Sequence, residues 1–333
     1  MAVCIGIEST AHTLGVGIFK GKRMLANEKD MYRPKKGGIH PRVAADHHAE
    51  VFGSVLKAAF EKSRLAWADV DFIAYARGPG LGPCLKVGMA GASAIASKLR
   101  IPLVPVNHCA AHVEIGAHYC KMKDPLMLYV SGGNTQIVVR EAGMGGREKG
   151  AIARRGCGYH VMGETLDIGV GNLIDVFARS LGEEFAHGSV VEKLAAGGKY
   201  FPLPYTVKGM NMTFTGLLTE ATKQLHGHDR KDVCFSLQET AFSMLTEATE
   251  RALALTRKKE VLACGGVAQN KRLTEMLALM AREHGARFAT SPPEFNADNG
   301  AMIAYTGVLA RRQAIDWRKA DVNPKWRLDE VVI

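Results

Sequence analysis

Asn107-His108-Cys109-Ala110-Ala111-His112 places two imidazoles four residues apart, just past a strand-like stretch at 103–106. The run at 110–118 is small, apolar and free of Pro, so it can be helical. Residues i and i+4 of a helix share a face, and two imidazoles on one face can hold one metal ion. They need a third ligand. His-x3-His also occurs as two ordinary core or surface histidines, and no His-Glu-x-x-His is present, so a zincin-type peptidase is disfavoured. Asp298, in Asn296-Ala297-Asp298-Asn299-Gly300 directly before an apolar run, can be that third ligand or a helix N-cap. His47 and His48 are adjacent, so on a helix they point apart and read as structural.

Polar turns make the second group. Glu8-Ser9-Thr10 and Ser131-Gly132-Gly133-Asn134-Thr135 each follow an apolar strand, and Gly lets backbone N–H groups approach an anion. Both can also be plain hairpin turns. Gly265-Gly266-Val267-Ala268-Gln269-Asn270 lies between strand and helix, where glycines admit a nucleotide, but it is not Gly-x-Gly-x-x-Gly. Asp175, Gly188 and Glu192 can hold a ribose or base edge, or belong to solvated helix faces.

The elements needed to position these residues follow from periodicity. Strands are expected at 3–7, 14–19, 72–76, 103–106, 126–130, 136–140 and 261–264. Helices are expected around 51–60, 86–98, 164–181, 232–255, 270–284 and 298–312. Strand, polar turn, strand occurs at 3–19 and again at 126–140, which argues for a weak duplication with one copy per lobe. The expected lobes are 1–124 plus about 301–333, and 125–300.

The chain has 333 residues, 47% hydrophobic and 23% charged, which suits two globular lobes. No apolar run reaches the roughly 18–20 residues of a membrane span. The N-terminus lacks the features of a signal peptide. Seven scattered cysteines without Cys-x-x-Cys fit a reducing, cytoplasmic setting. A net charge of +10 favours a polyanionic partner. Basic clusters at 20–23, 33–36, 154–155, 257–259, 311–312 and 325–327 make a phosphate-binding surface plausible, each being otherwise a solvated face.

Taken in order, six pieces resemble the tRNA N6-adenosine threonylcarbamoyltransferase family, once called O-sialoglycoprotein endopeptidases. They are Gly6-Ile7-Glu8-Ser9-Thr10-Ala11-His12-Thr13, Arg77-Gly78-Pro79-Gly80, Asn107-His108 through His112, Tyr129-Val130-Ser131-Gly132-Gly133-Asn134-Thr135-Gln136, Gly265-Gly266-Val267-Ala268-Gln269-Asn270, and Asp298-Asn299-Gly300-Ala301-Met302-Ile303. Asn134, where the bacterial branch has His, resembles the archaeal and eukaryotic branch. The kinase domain fused to some archaeal members is not expected here.

The resemblance implies an actin-like ATPase (ASKHA) α/β fold of two duplicated lobes with the ligand in the cleft between them. It implies one divalent metal on His108, His112 and Asp298, with Tyr129 near or ligating. Fe(II) suits two histidines and a carboxylate best, with Zn(II) and Mg(II) as alternatives. The implied nucleotide positions are Tyr129, Val130, Ser131, Gly132, Gly133, Asp175, Gly188, Glu192 and Asn270. Glu8, Ser9, Thr10 and His12, with 77–80, are implied as cleft wall. The implied reaction moves threonylcarbamoyl from threonylcarbamoyl-AMP to N6 of the adenosine 3′ of a tRNA anticodon, releasing AMP, with no covalent nucleophile. ATP or AMP are the related ligands. The implied partners are tRNA and the KEOPS subunits, a small atypical kinase and small accessory proteins, with no membrane. The competing readings are an ATP-dependent kinase on the same fold, a metallopeptidase, and a non-catalytic scaffold.

Overall fold

The computed structural model describes residues 1–33, 38–142, 157–182 and 188–333, apart from the side chains of Ala142 and Cys157. The basic residues expected at 35–36 and 154–155 lie outside the described residues.

In chain order the first elements are β1 (Val3–Glu8), β2 (Thr13–Lys20), β3 (Arg23–Met31), α1 (Pro41–Ser63), β4 (Phe72–Gly78), α2 (Gly82–Leu99), β5 (Leu103–Asn107) and α3 (His108–Tyr119). There follow β6 (Leu126–Val130), β7 (Thr135–Ala142), β8 (Cys157–Glu164), α4 (Val170–Ser180), α5 (Gly188–Ala195), β9 (Val207–Lys208), β10 (Asn211–Met212) and α6 (Thr215–Gln224). The chain closes with α7 (Arg230–Thr256), β11 (Glu260–Cys264), α8 (Lys271–Glu283), β12 (Arg287–Thr290), α9 (Pro293–Asn296) and α10 (Gly300–Leu309).

Two compact units result. One holds Met1–Ile115, Ala142–Tyr159 and Ala297–Ile333, the other Gly116–Glu141 and His160–Asn296. The sequence-based expectation put the breaks at 124/125 and 300/301. Each unit has a five-stranded sheet, ordered β3-β2-β1-β4-β5 and β8-β7-β6-β11-β12. In the first, β1 runs antiparallel to β2 and parallel to β4, which is parallel to β5. In the second, β6 runs antiparallel to β7 and parallel to β11, which is parallel to β12. β6 therefore repeats β1, and β11 repeats β4. The duplication inferred from element order is real at the level of topology, and the α/β actin-like architecture is the observed one.

In the first sheet, side-chain size alternates with the two-residue period of a strand. Ile5, Ile7, Leu14, Val16, Ile18, Ile73 and Tyr75 pack in one core with Val55 and Ala59 of α1 and Ala92 and Ala96 of α2. The intervening residues are small, and α10 lies on them. A Cβ on Gly6 would stand 2.1 Å from the Ala304 amide nitrogen, and one on Gly17 2.2 Å from that of Ala301. Helix backbone thus rests on strand backbone. This seating brings residue 298, just ahead of α10, to the ends of β1 and β2.

The second unit differs from expectation in its helices. The single helix expected over 164–181 is instead the end of β8, a turn, and α4. Asp167 makes the turn: its carboxylate accepts from the Phe214 amide at 2.9 Å and the Thr215 amide at 2.8 Å, anchoring the start of α6. Burial opposes that charge, but the Phe214 and Thr215 N–H groups outweigh it and hold the Asp167 pKa down to about 2. β8, α5 and α6 were not expected: each spans only eight to ten residues, too short a stretch for a period to mark by itself.

Candidate metal centre

Helix α3 is buried on nearly every side. A helix apolar all round belongs to an interior, and this one carries its two histidines inward. Asn107 starts it: its Oδ1 accepts from the amides of Cys109 at 2.9 Å and Ala110 at 3.1 Å. That N-cap fixes where the first turn begins, and so where His108 points.

His108, His112 and Asp298 meet in the first unit, and their candidate ligand atoms all lie within 4.8 Å of one another. Asp298 Oδ1 stands 3.6 Å from His108 Nε2 and 3.4 Å from His112 Nε2. Donors about 2.1 Å from a common ion at tetrahedral angles stand ~3.4 Å apart, so the donor types and the two carboxylate–imidazole spacings suit a divalent metal. The alternative role for Asp298, capping α10, goes to its neighbour: Asn299 Oδ1 accepts from the Met302 amide at 3.0 Å. The Asp298 carboxylate is therefore aimed at the imidazoles.

The electrostatics agree with that aim. Burial opposes charge on His108, but the carboxylates of Glu8 and Asp298 outweigh it and raise its pKa to about 9. Burial likewise opposes charge on Asp298, yet the imidazoles of His108 and His112 hold its carboxyl well below the usual range. His48, read as structural, is fully buried, and burial pushes its pKa down to about 4.

Glu8 and Thr10, expected only as wall, touch the centre. Glu8 Oε2 lies 3.0 Å and Thr10 Oγ1 3.2 Å from His108 Nδ1. Sequence reasoning missed this pairing because 100 residues separate Glu8 from His108 and no local pattern joins them. Ser9 is buried in the same turn and His12 is half-buried. Of 77–80, Gly80 does border the turn, since a Cβ on it would stand 2.6 Å from the Thr10 carbonyl. Gly78 instead faces the Asn323 carbonyl, and Arg77 pairs with Asp321 at 2.7 Å. Both pack on the C-terminal segment.

The remaining site residues lie in the second unit. Tyr129 and Val130 are fully buried at the end of β6. The Ser131 amide donates to the Asn134 carbonyl at 2.8 Å, closing the turn. The anion-binding amides expected across 131–133 therefore narrow to those of Gly132 and Gly133, which are exposed. Gly265 sits at φ +97, and a Cβ there would stand 2.3 Å from the Val130 carbonyl. Its freedom serves strand-to-strand contact, while Gly266 faces open space.

The other four positions converge. A Cβ on Gly188 would stand 3.9 Å from Asp175 Oδ1. Glu192, one turn along α5, accepts from the Lys271 amide at 3.0 Å. Asn270, the preceding residue, caps α8 through its Oδ1 and donates from Nδ2 to Gln238 at 3.0 Å. Glu192 and Asn270 thus have structural partners as well as a place in one cluster.

Comparison with known proteins identifies the family. The family model of TsaD, tRNA N6-adenosine threonylcarbamoyltransferase, matches residues 23–305. A tRNA N6-adenosine threonylcarbamoyltransferase of Staphylothermus marinus is 50% identical over 98% of both chains. One of Thermococcus kodakarensis is 50% identical over 99% of both. Component A of (R)-2-hydroxyglutaryl-CoA dehydratase from Acidaminococcus fermentans aligns over 94% of this chain and 99% of its own, with 16% identity and a TM-score of 0.55. That last likeness is one of fold. With half its residues shared along nearly its whole length, the chain belongs to the tRNA N6-adenosine threonylcarbamoyltransferase family.

Proposed function

We propose that this protein transfers a threonylcarbamoyl group from threonylcarbamoyl-AMP to N6 of the adenosine 3′ of the anticodon in tRNA. Family membership over nearly the whole chain carries the reading. In the reaction the N6 amine attacks the carbamoyl carbon, a C–N bond forms, the carbonyl C–O bond to phosphate breaks, AMP leaves with the bonding electron pair, and one N6 proton is released to solvent. The donor is a reactive mixed anhydride, so the protein's task is alignment and charge stabilisation.

His108, His112 and Asp298 would hold the metal, with Tyr129 nearby or ligating. A divalent ion there supplies Lewis-acid stabilisation of developing charge, Fe(II) suiting the donor set, with Zn(II) or Mg(II) as alternatives. Gly132 and Gly133 would donate their amides to phosphate oxygens. Asp175, Gly188, Glu192 and Asn270 would take the ribose and adenine of the adenylate. The expected setting is the cytoplasm, with the KEOPS kinase and small subunits as partners.

The test is reconstitution with tRNA, threonine, bicarbonate, ATP and the adenylate synthase, with and without this chain and its partners. Threonylcarbamoyl-adenosine appearing only with the chain supports the reading, and its formation without the chain overturns it. ATP turnover on small alcohols and cleavage of peptides by metal-replete protein are the controls for the kinase and peptidase readings.

A further inference from the structure

Glu8 ends β1 with its carboxylate wholly buried, a costly position for a charge unless every lone pair is used. Its Oε1 accepts from the Thr10 amide at 2.6 Å and the Thr10 hydroxyl at 2.5 Å. Its Oε2 stands 3.0 Å from His108 Nδ1. The turn holding it is clamped from outside. The Leu81 amide donates to the Thr10 carbonyl at 2.7 Å, and a Cβ on Gly88 would stand 2.1 Å from Ser9 Oγ.

The chemistry of these contacts decides which ring nitrogen carries the proton. The Thr10 hydroxyl has one proton, and it goes to Glu8. Toward His108 Nδ1, both Thr10 Oγ1 and Glu8 Oε2 can then only accept. Nδ1 therefore keeps its proton, and Nε2, on the Asp298 side of the ring, is the nitrogen left to give its lone pair to a metal. We propose that Glu8, locked by Thr10, is the positioning residue that fixes the tautomer and ring orientation of His108 for metal binding. It is a carboxylate behind a ligand histidine, which raises the ligand's basicity and holds its aim. The inference rests on the metal reading above and not on the transfer reaction.

Zn(II) affinity, measured by competition with a chromogenic chelator, tests it with the full chain. Glu8→Ala and Glu8→Gln should weaken Zn(II) by about 10–100-fold, and Thr10→Val should weaken it less. In Co(II)-loaded protein, proton NMR should show a slowly exchanging, hyperfine-shifted His108 ring N–H that Glu8→Ala removes. If Glu8→Ala fails to fold, Glu8→Gln and Thr10→Val keep the test. Affinities within twofold of wild type with the N–H signal retained would overturn the proposal. Equal Zn(II) binding by wild type and His108→Ala would overturn the metal reading and this inference together. Normal metal binding with no threonylcarbamoyl transfer would count against the proposed function alone, and the Glu8 comparison would still decide.

Discussion

Asp298 and Asn299 are neighbours with separate tasks, and substitution should separate them. Asn299→Ala removes the cap on α10 and leaves the Met302 amide unpaired, which costs about 1 kcal/mol. It should lower the unfolding midpoint. Asp298→Asn keeps that cap and removes a ligand. We expect it to abolish high-affinity metal binding with a smaller thermal shift, as read by metal titration beside calorimetry. Equal effects from both would mean that residue 298 acts through the helix. His108 and His112 were legible as a pair from their spacing alone. The cap on Asn107 was available too, since Asn directly before a helical run is a start signal. Glu8 was not, because a long-range contact leaves no mark in local spacing.

Elements deliver these residues by how closely they pack. Helix α10 rests directly on the backbone of β1 and β2 because Gly6 and Gly17 carry no side chain. Gly17→Ala forces a methyl into backbone and should cost about 1–3 kcal/mol or more. It should also weaken metal binding, since Asp298 would be lifted with the helix. Denaturant unfolding and metal titration check the two halves. In the second unit, Asp167 ties the turn before α4 to the start of α6. Its folded pKa is depressed, so the stability it adds is complete above the ordinary carboxylate range and is lost as pH falls toward about 2. Asp167→Ala should destabilise at neutral pH by about 1 kcal/mol, water being able to take over part of the exposed carboxylate's role. Unfolding curves of the two proteins should converge as the medium is acidified to about pH 2. The long helices were legible because their apolar stripes recur at helical spacing. β8 and α6 were not, because partners distant in sequence hold them.

At the scale of the whole molecule, the excess of 43 Lys and Arg over 33 Asp and Glu bears on the substrate class. A tRNA offers a dense phosphate backbone, and binding to it releases condensed counterions. Affinity for tRNA should therefore fall steeply between about 50 and 200 mM salt, with log Kd linear in log salt. A flat response in filter binding would remove the role assigned to the basic surface. Lys20, Lys22, Arg23, Arg257, Arg311, Arg312, Lys325 and Arg327 are exposed. Among the described residues, no helix is long and apolar enough to cross a membrane.

The sequence by itself determined the repeat of strand, turn and strand and the residue types of the centre, while the class of fold came from the resemblance carried by its six ordered motifs. Each of those lies within a few residues of chain, where period and spacing record it. Tertiary structure alone decided between the two roles open to Asp298, giving the cap to Asn299, and decided that Glu8 stands behind His108 and that the amides of Gly132 and Gly133 remain where three were expected. Those outcomes depend on which backbone donors are already engaged and on how near two strands and a helix can come. Such distances are set by the packed core, and no local stretch of sequence encodes them.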